Sequence, residues 1–229
     1  MLSQLQAELK SLENPEKAKI YQRFFKTGKG EYGEGDIFLG LTVPQQRQIA
    51  KKYPKLSLEK IQELLKSKIH EERVVALMIL KHKYQKDSNK KEIIDFYLKN
   101  TENINNWDLV DGSAPYILGN YLLDKDRQPL YDLAISENLW GKRISIISTF
   151  EFIKNDQFED TIKISEILLK DTHDLIHKAV GWMLRELGKK DQSLLEEFLN
   201  KHTKNMPRTM LRYAIEKFEE TKRQYYLKK

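Results

Sequence analysis

The stretch "DLIHKAVGWMLRELG" (174–188) places apolar side chains at Ile176, Ala179, Val180, Met183, Leu184 and Leu187. Steps of three and four follow one another, which is the period of an α-helix with one buried face. The same spacing runs through "HEERVVALMILKHKYQ" (70–85), "LWGKRISIISTFEFIK" (139–154) and "MPRTMLRYAIEKF" (206–218). Shorter helical stretches lie between them, among them "LSLEKIQELLKS", "KKEIIDFYLKN" and "SLLEEFLNKH". Polar turns separate the segments, and several contain an aspartate: Asp87, Asp126, Asp156 and Asp191. Turns and strongly apolar helices both recur at intervals of about 30–40 residues. A single hairpin of that length cannot bury its apolar face alone, so neighbours must stack. The pattern predicts an all-α fold, a single HEAT-like helical-repeat domain over residues 1–229 that curves into a solenoid with a concave face. A compact all-α bundle is the alternative.

Composition narrows the classes. Of 229 residues, 40% are hydrophobic and 32% charged, which is a globular balance. No apolar run approaches the roughly 18 residues of a membrane span. The opening "MLSQLQAELKSLENPEK" lacks the apolar core and small-residue cleavage site of a signal peptide. The absence of cysteine excludes disulfides, thiolate zinc sites and a cysteine nucleophile, and fits a reducing cytoplasm. The net charge of +6 favours a polyanionic partner.

One segment departs from the helical pattern. "KTGKGEYGEGDIFLGLTVPQQRQIAKK" (26–52) holds Gly28, Gly30, Gly33, Gly35 and Gly40, half of the chain's ten glycines. It reads as a flexible loop between helices, open to a partner, with Pro44 in the first turn of the next helix. Within it "GKGEYG" (28–33) matches G-x-G-x-x-G, but a dinucleotide site needs a strand before it and a βαβ unit around it, and neither is in sight. "HDLIH" (173–177) spaces His173 and His177 like a zinc-binding helix. Its acid is the short Asp174 and no third ligand is evident, so two ordinary helix histidines are expected and no metal. No nucleophile elbow or P-loop is present, and no lysine is marked as a desolvated nucleophile.

"NINNWDLVDGSAP" (103–115) is harder to explain by packing. Trp107 and Asp111 are four apart and share a helix face, although Gly112 and Pro115 make the helix locally poor. Asn105 or Asn106 suits the cap, and Asp108 in the first turn suits the helix dipole. Asp111, a turn deeper and beside Gly112, has less of such a role; a solvated acid beside a core tryptophan is the plain reading. The alternative joins it to two later residues, Arg143 and Trp182, each on a successive repeat. Stacked repeats set corresponding helices side by side, so two indoles, a carboxylate and a guanidinium would meet in a shallow cleft. Rings attract a cation, the carboxylate stabilises a sugar cation, and Arg forks onto a phosphate.

At these residues the sequence resembles the AlkD-like DNA glycosylases, the HEAT-like-repeat family of DNA alkylation repair enzymes. The resemblance runs from "FFKTGKGEYGEGDIFLGLTVPQQRQIAKK" through "NNWDLVDGSAPYILGNYLL" and "LWGKRISIIST" to "AVGWMLRELGKKD" and "MPRTMLRYAIEKF". It implies that Asp111 is the catalytic carboxylate, that Trp107 and Trp182 are the substrate-binding tryptophans of the cleft, and that Arg143 is its arginine. It further implies a monofunctional glycosylase that removes cationic N3- and N7-alkylated purines from duplex DNA without flipping the base, leaving an abasic site. No cofactor or metal is called for, and the expected protein is a cytoplasmic monomer acting on double-stranded DNA. Two other readings remain: a non-catalytic DNA binder of the same fold, for damaged or branched DNA, and a protein-interaction scaffold.

Overall fold

The computed structural model describes residues 1–86 and 88–229, so the turn aspartate Asp87 lies outside the described residues. Among the described residues the regular structure is helical, and the only bridge of β type is an isolated parallel one between Ile37 and Ile69. No helix among them is long and apolar enough to cross a membrane. The chain forms two compact units, Met1–Ser113 and Ala114–Lys229.

The first unit holds α1 (Leu2–Ser11), α2 (Pro15–Phe24), α3 (Val43–Lys52), α4 (Leu58–Leu65), α5 (His70–Lys86), α6 (Lys90–Lys99) and α7 (Trp107–Ser113). The second holds α8 (Gln128–Ala134), α9 (Leu139–Lys154), α10 (Glu159–Ile167), α11 (Asp174–Lys190), α12 (Gln192–His202), α13 (Arg208–Ala214) and α14 (Glu220–Lys228). In each unit the odd-numbered helices form a packed row: α3 on α5 on α7 in the first, α9 on α11 on α13 in the second. Even-numbered helices pack beside them as hairpin partners, α4 against α5 and α8 against α9. This is the stacking that the repeat spacing predicts.

Local chemistry explains where the helices begin. Asn14 accepts from the Lys17 amide at 3.0 Å, with Pro15 opening α2. Gln45 accepts from the Thr42 amide at 2.9 Å, one arm of a capping box ahead of α3. Asn138 caps α9 through the Trp140 and Gly141 amides, and Asp191 caps α12 through the Leu194 amide at 2.9 Å. Asp126 accepts from the Gln128 amide at 3.0 Å where α8 starts.

One predicted helix is shorter than its pattern. Residues 206–218 read as helical, yet α13 spans only Arg208–Ala214. Pro207 forces Met206 into an extended backbone, ψ 135°, so the helix starts after it.

Close approach of the rows demands small residues. A Cβ on Gly181 of α11 would lie 2.5 Å from both the Met210 carbonyl oxygen and the Tyr213 Cβ of α13. Between α8 and α9 the Ser145 hydroxyl, fully buried, donates to the Leu130 carbonyl at 2.6 Å.

Candidate active site

Helix α7 has seven residues. The Trp107 amide donates to Asn106 Oδ1 at 2.8 Å, so of the two candidate asparagines it is Asn106, fully buried, that meets the helix start. Leu109, Val110 and Ser113 face inward. Trp107 and Asp111 share the other side and are both half-buried. The Ser113 hydroxyl donates to the Leu109 carbonyl at 2.6 Å and lies 2.9 Å from the Tyr97 hydroxyl. Burial pushes the Tyr97 phenol well up, and the nearby negative charge of Asp111 adds to that push against the Ser113 hydrogen bond.

Trp107 is not a core tryptophan. Its indole stacks on Phe25, centroids 5.2 Å apart and planes 12° from parallel. Phe24, 62% exposed, meets it edge-on at 5.9 Å. The stack continues inward: Phe25 on Phe38 at 5.0 Å, and Phe38 on the His70 ring at 4.5 Å. Beside these rings lies a cavity of about 350 Å³, walled by Ile20, Tyr21, Phe24, Phe25, Phe38, Leu41 and Val43. His70, Glu71, Gln46 and Asp108 supply its polar lining.

These polar groups come from the glycine-rich segment, from α5 and from α7. Nδ1 of His70 lies 3.1 Å from Asp36 Oδ2, and its Nε2 lies 2.8 Å from Asp108 Oδ2. Arg73 closes the group, 2.6 Å from Asp36, while its second Nη donates to the Ser67 carbonyl at 2.8 Å. Burial opposes the charge on His70, but Asp108 and Asp36 outweigh it and hold the imidazole above its ordinary pKa of 6.5. Burial likewise opposes the charge on Asp36, and His70 and Arg73 overcome it, keeping this carboxylate below 3.8. Asp108 thus does more than face a helix dipole.

The glycine-rich segment differs from the loose loop predicted for it. Amides of Leu39, Gly40 and Leu41 all donate to the fully buried Glu71 carboxylate, at 3.0, 2.8 and 3.2 Å. Gly40 has φ +85°, open to glycine at little cost, and the Asn14 carbonyl stands where a Cβ would go. The Ile37 amide and carbonyl also bond across to Lys68 and His70 at 2.9 and 2.8 Å. Asp36–Leu41 is therefore strapped to the start of α5. Sequence reading missed Asp36, Phe25, Phe38 and His70. The available signal was "HEER" (70–73), four polar residues at the mouth of an apolar helix, every one of them buried.

The second unit carries the other two predicted residues on neighbouring helices. Arg143 of α9 is only 5% exposed and donates to the Leu175 carbonyl in the first turn of α11 at 2.7 Å. Trp182 of α11 is half-buried; its indole N–H donates to Glu186 at 3.2 Å and its ring lies 6.1 Å from Phe150. The histidine pair is otherwise employed. His173 Nδ1 accepts from the Leu175 amide at 3.1 Å as the cap of α11, and His177 Nε2 lies 2.6 Å from the Asp171 carbonyl.

The sequence model of a family described as "DNA alkylation repair enzyme" matches residues 5–218. The chain belongs to this family. Membership gives it a role in the repair of alkylated DNA. A solved structure described as a predicted DNA alkylation repair enzyme from Enterococcus faecalis shares the fold, with a TM-score of 0.74 at 18% identity. The similarity covers 91% of this chain and 97% of that one. No curated protein matches the chain.

Proposed function

We propose that this repair enzyme is a monofunctional DNA glycosylase that hydrolyses the N-glycosidic bond of N3- and N7-alkylated purines in duplex DNA. The observation that carries the reading is the pairing on α7: a half-exposed indole and a half-exposed carboxylate, one turn apart, in a family of alkylation repair enzymes. Alkylation leaves the purine cationic, so the leaving group needs no proton. As the bond from C1′ to the base nitrogen breaks, its electron pair goes to the base and neutralises it. The sugar becomes oxocarbenium-like. Asp111 stabilises that cation and takes a proton from the water that adds to C1′. Trp107 holds the cationic nucleoside through its π face, and Trp182 offers a second aromatic surface for the DNA. Arg143, buried and donating to the Leu175 carbonyl, adds its positive charge to the field that attracts the DNA backbone. The chemistry requires no metal or cofactor, and no enzyme amine attacks the sugar, so the product is an abasic site.

Single-turnover release of 7-methylguanine from methylated duplex tests the reading. Asp111→Asn should slow release by about 10²–10³-fold, the scale of losing one well-placed electrostatic group, while duplex affinity stays near that of the wild type. Equal rates for the two proteins would remove Asp111 from the mechanism. Salt-sensitive duplex binding with no base release by the wild type would instead point to a non-catalytic binder. Borohydride should trap no covalent enzyme–DNA adduct.

A further inference from the structure

Two routes lead from His70 to Trp107. The polar route runs from His70 Nε2 to Asp108, the residue after Trp107, at 2.8 Å. The aromatic route runs through Phe38 and Phe25 to the indole, with centroid steps of 4.5, 5.0 and 5.2 Å. We propose that His70 is a positioning residue: by bridging Asp36 and Asp108 it fixes the start of α7 and so the presentation of Trp107 and Asp111. For its rate readout the proposal rests on the glycosylase reading; for its structural readout it does not.

Helix α7 needs such an anchor. Its seven residues make about two α-helical turns, after which the backbone passes at Ala114 into the π-helical stretch Pro115–Gly119. Gly112 lowers its propensity further, and nothing lies within 4 Å of where its Cβ would be, so packing does not demand a glycine there. Of its seven residues only Leu109, Val110 and Ser113 are buried, and the charged bridge at Asp108 adds the hold at the helix start.

The bridge is built to hold. Asp36, His70 and Arg73 are 9%, 2% and 3% exposed. Charges buried that deeply persist only when paired, and losing one partner leaves another uncompensated. Asp36 faces the imidazole from the glycine-rich segment, Asp108 from α7, and Arg73 from α5 itself, 3.3 Å away. On the same turn of α5, Glu71 is taken up by the three backbone amides and Glu72 lies 3.4 Å from Gln6. Phe25 and Phe38 cover the ring and bring no charge. A protonated imidazole donates to both carboxylates, whereas a neutral one donates to a single partner.

His70→Gln puts a neutral amide in place of the imidazole and cannot span both acids. The direct readout is the indole N–H resonance of Trp107, assigned with Trp107→Phe. It should shift in His70→Gln while those of Trp140 and Trp182 stay in place. Release of 7-methylguanine should slow by up to about 100-fold, as expected for a misplaced reacting group, with duplex affinity unchanged. In the wild type the Trp107 resonance and the release rate should change together as pH rises above 6.5, and that step should vanish in His70→Gln. A Trp107 resonance unmoved by the substitution, or a pH step that survives it, overturns the proposal. If His70→Gln does not fold, Asp108→Asn removes the charge on the other side of the bridge and is read in the same way. If the wild type releases no base, the glycosylase reading fails, and the Trp107 resonance alone decides whether His70 positions the helix.

Discussion

Helices α7 and α9 each carry predicted site residues, yet they are held by opposite means. Helix α9 has sixteen residues, and its Ile144, Ile146, Ile147, Phe152 and Ile153 are buried against the rest of its unit. Its position follows from its own apolar pattern, and Arg143 goes where the packed helix takes it. Helix α7 has seven residues and two buried apolar ones, Leu109 and Val110. Its start is held by side chains up to 82 residues away along the chain: Asp36 on Asn106 (a long 3.4 Å contact), His70 on Asp108, Phe25 on Trp107. A helix anchored by packing tolerates polar change around it. One anchored by a charged bridge does not.

The comparison breaks most visibly through the core of α9. Phe152 is fully buried, with the Arg127 guanidinium 4.0 Å above its ring. Phe152→Ala should cost about 3–5 kcal/mol, read as a fall in the urea midpoint. A cost near zero would mean that α9 is not held by its core. Phe25→Leu sharpens the contrast from the other side. It removes the middle of the ring stack and should cost only about 1 kcal/mol, yet base release should slow well beyond what that lost stability explains. Unchanged release would show that the stack does not serve the indole.

The smallest expected effect is in the pH dependence of folding, because burial and the partner charges pull against each other at both groups. His70 has a raised pKa in the folded protein, so its contribution is complete below 6.5 and is lost as pH rises through the folded value. Asp36 has a lowered pKa, so its contribution is complete above 3.8 and is lost as pH falls through its folded value. Stability contributed by the bridge should therefore form a plateau between those limits. Denaturation midpoints across pH, wild type beside His70→Gln, measure it; an alkaline decline equally steep in both proteins would assign that decline to other groups.

The long helices were legible because their information is local. Residues 139–154 read as a helix and α9 spans Leu139–Lys154; residues 174–188 extend by two, to Lys190. The W-x-x-x-D spacing of Trp107 and Asp111 could be read on one helix face because α7 covers both. The bridge was not legible. Asp36 and His70 are 34 residues apart, and His70 and Asp108 are 38. Periodicity compares each residue with neighbours one turn away, so "HEER" looked like an ordinary charged helix start. The strap of Asp36–Leu41 was hidden for the same reason, since glycine content announces a turn but not what the turn binds.

By itself the amino-acid order determined the all-helical class and the spans of the long helices, because each follows from near-neighbour spacing and side-chain type. Tertiary structure alone decided that Trp107 ends a stack of rings, that Arg143 is buried against α11, and that a histidine between two acids orients α7. The reason is that charge pairing and ring stacking act through space, at distances of 3 to 5 Å that separation along the chain does not predict.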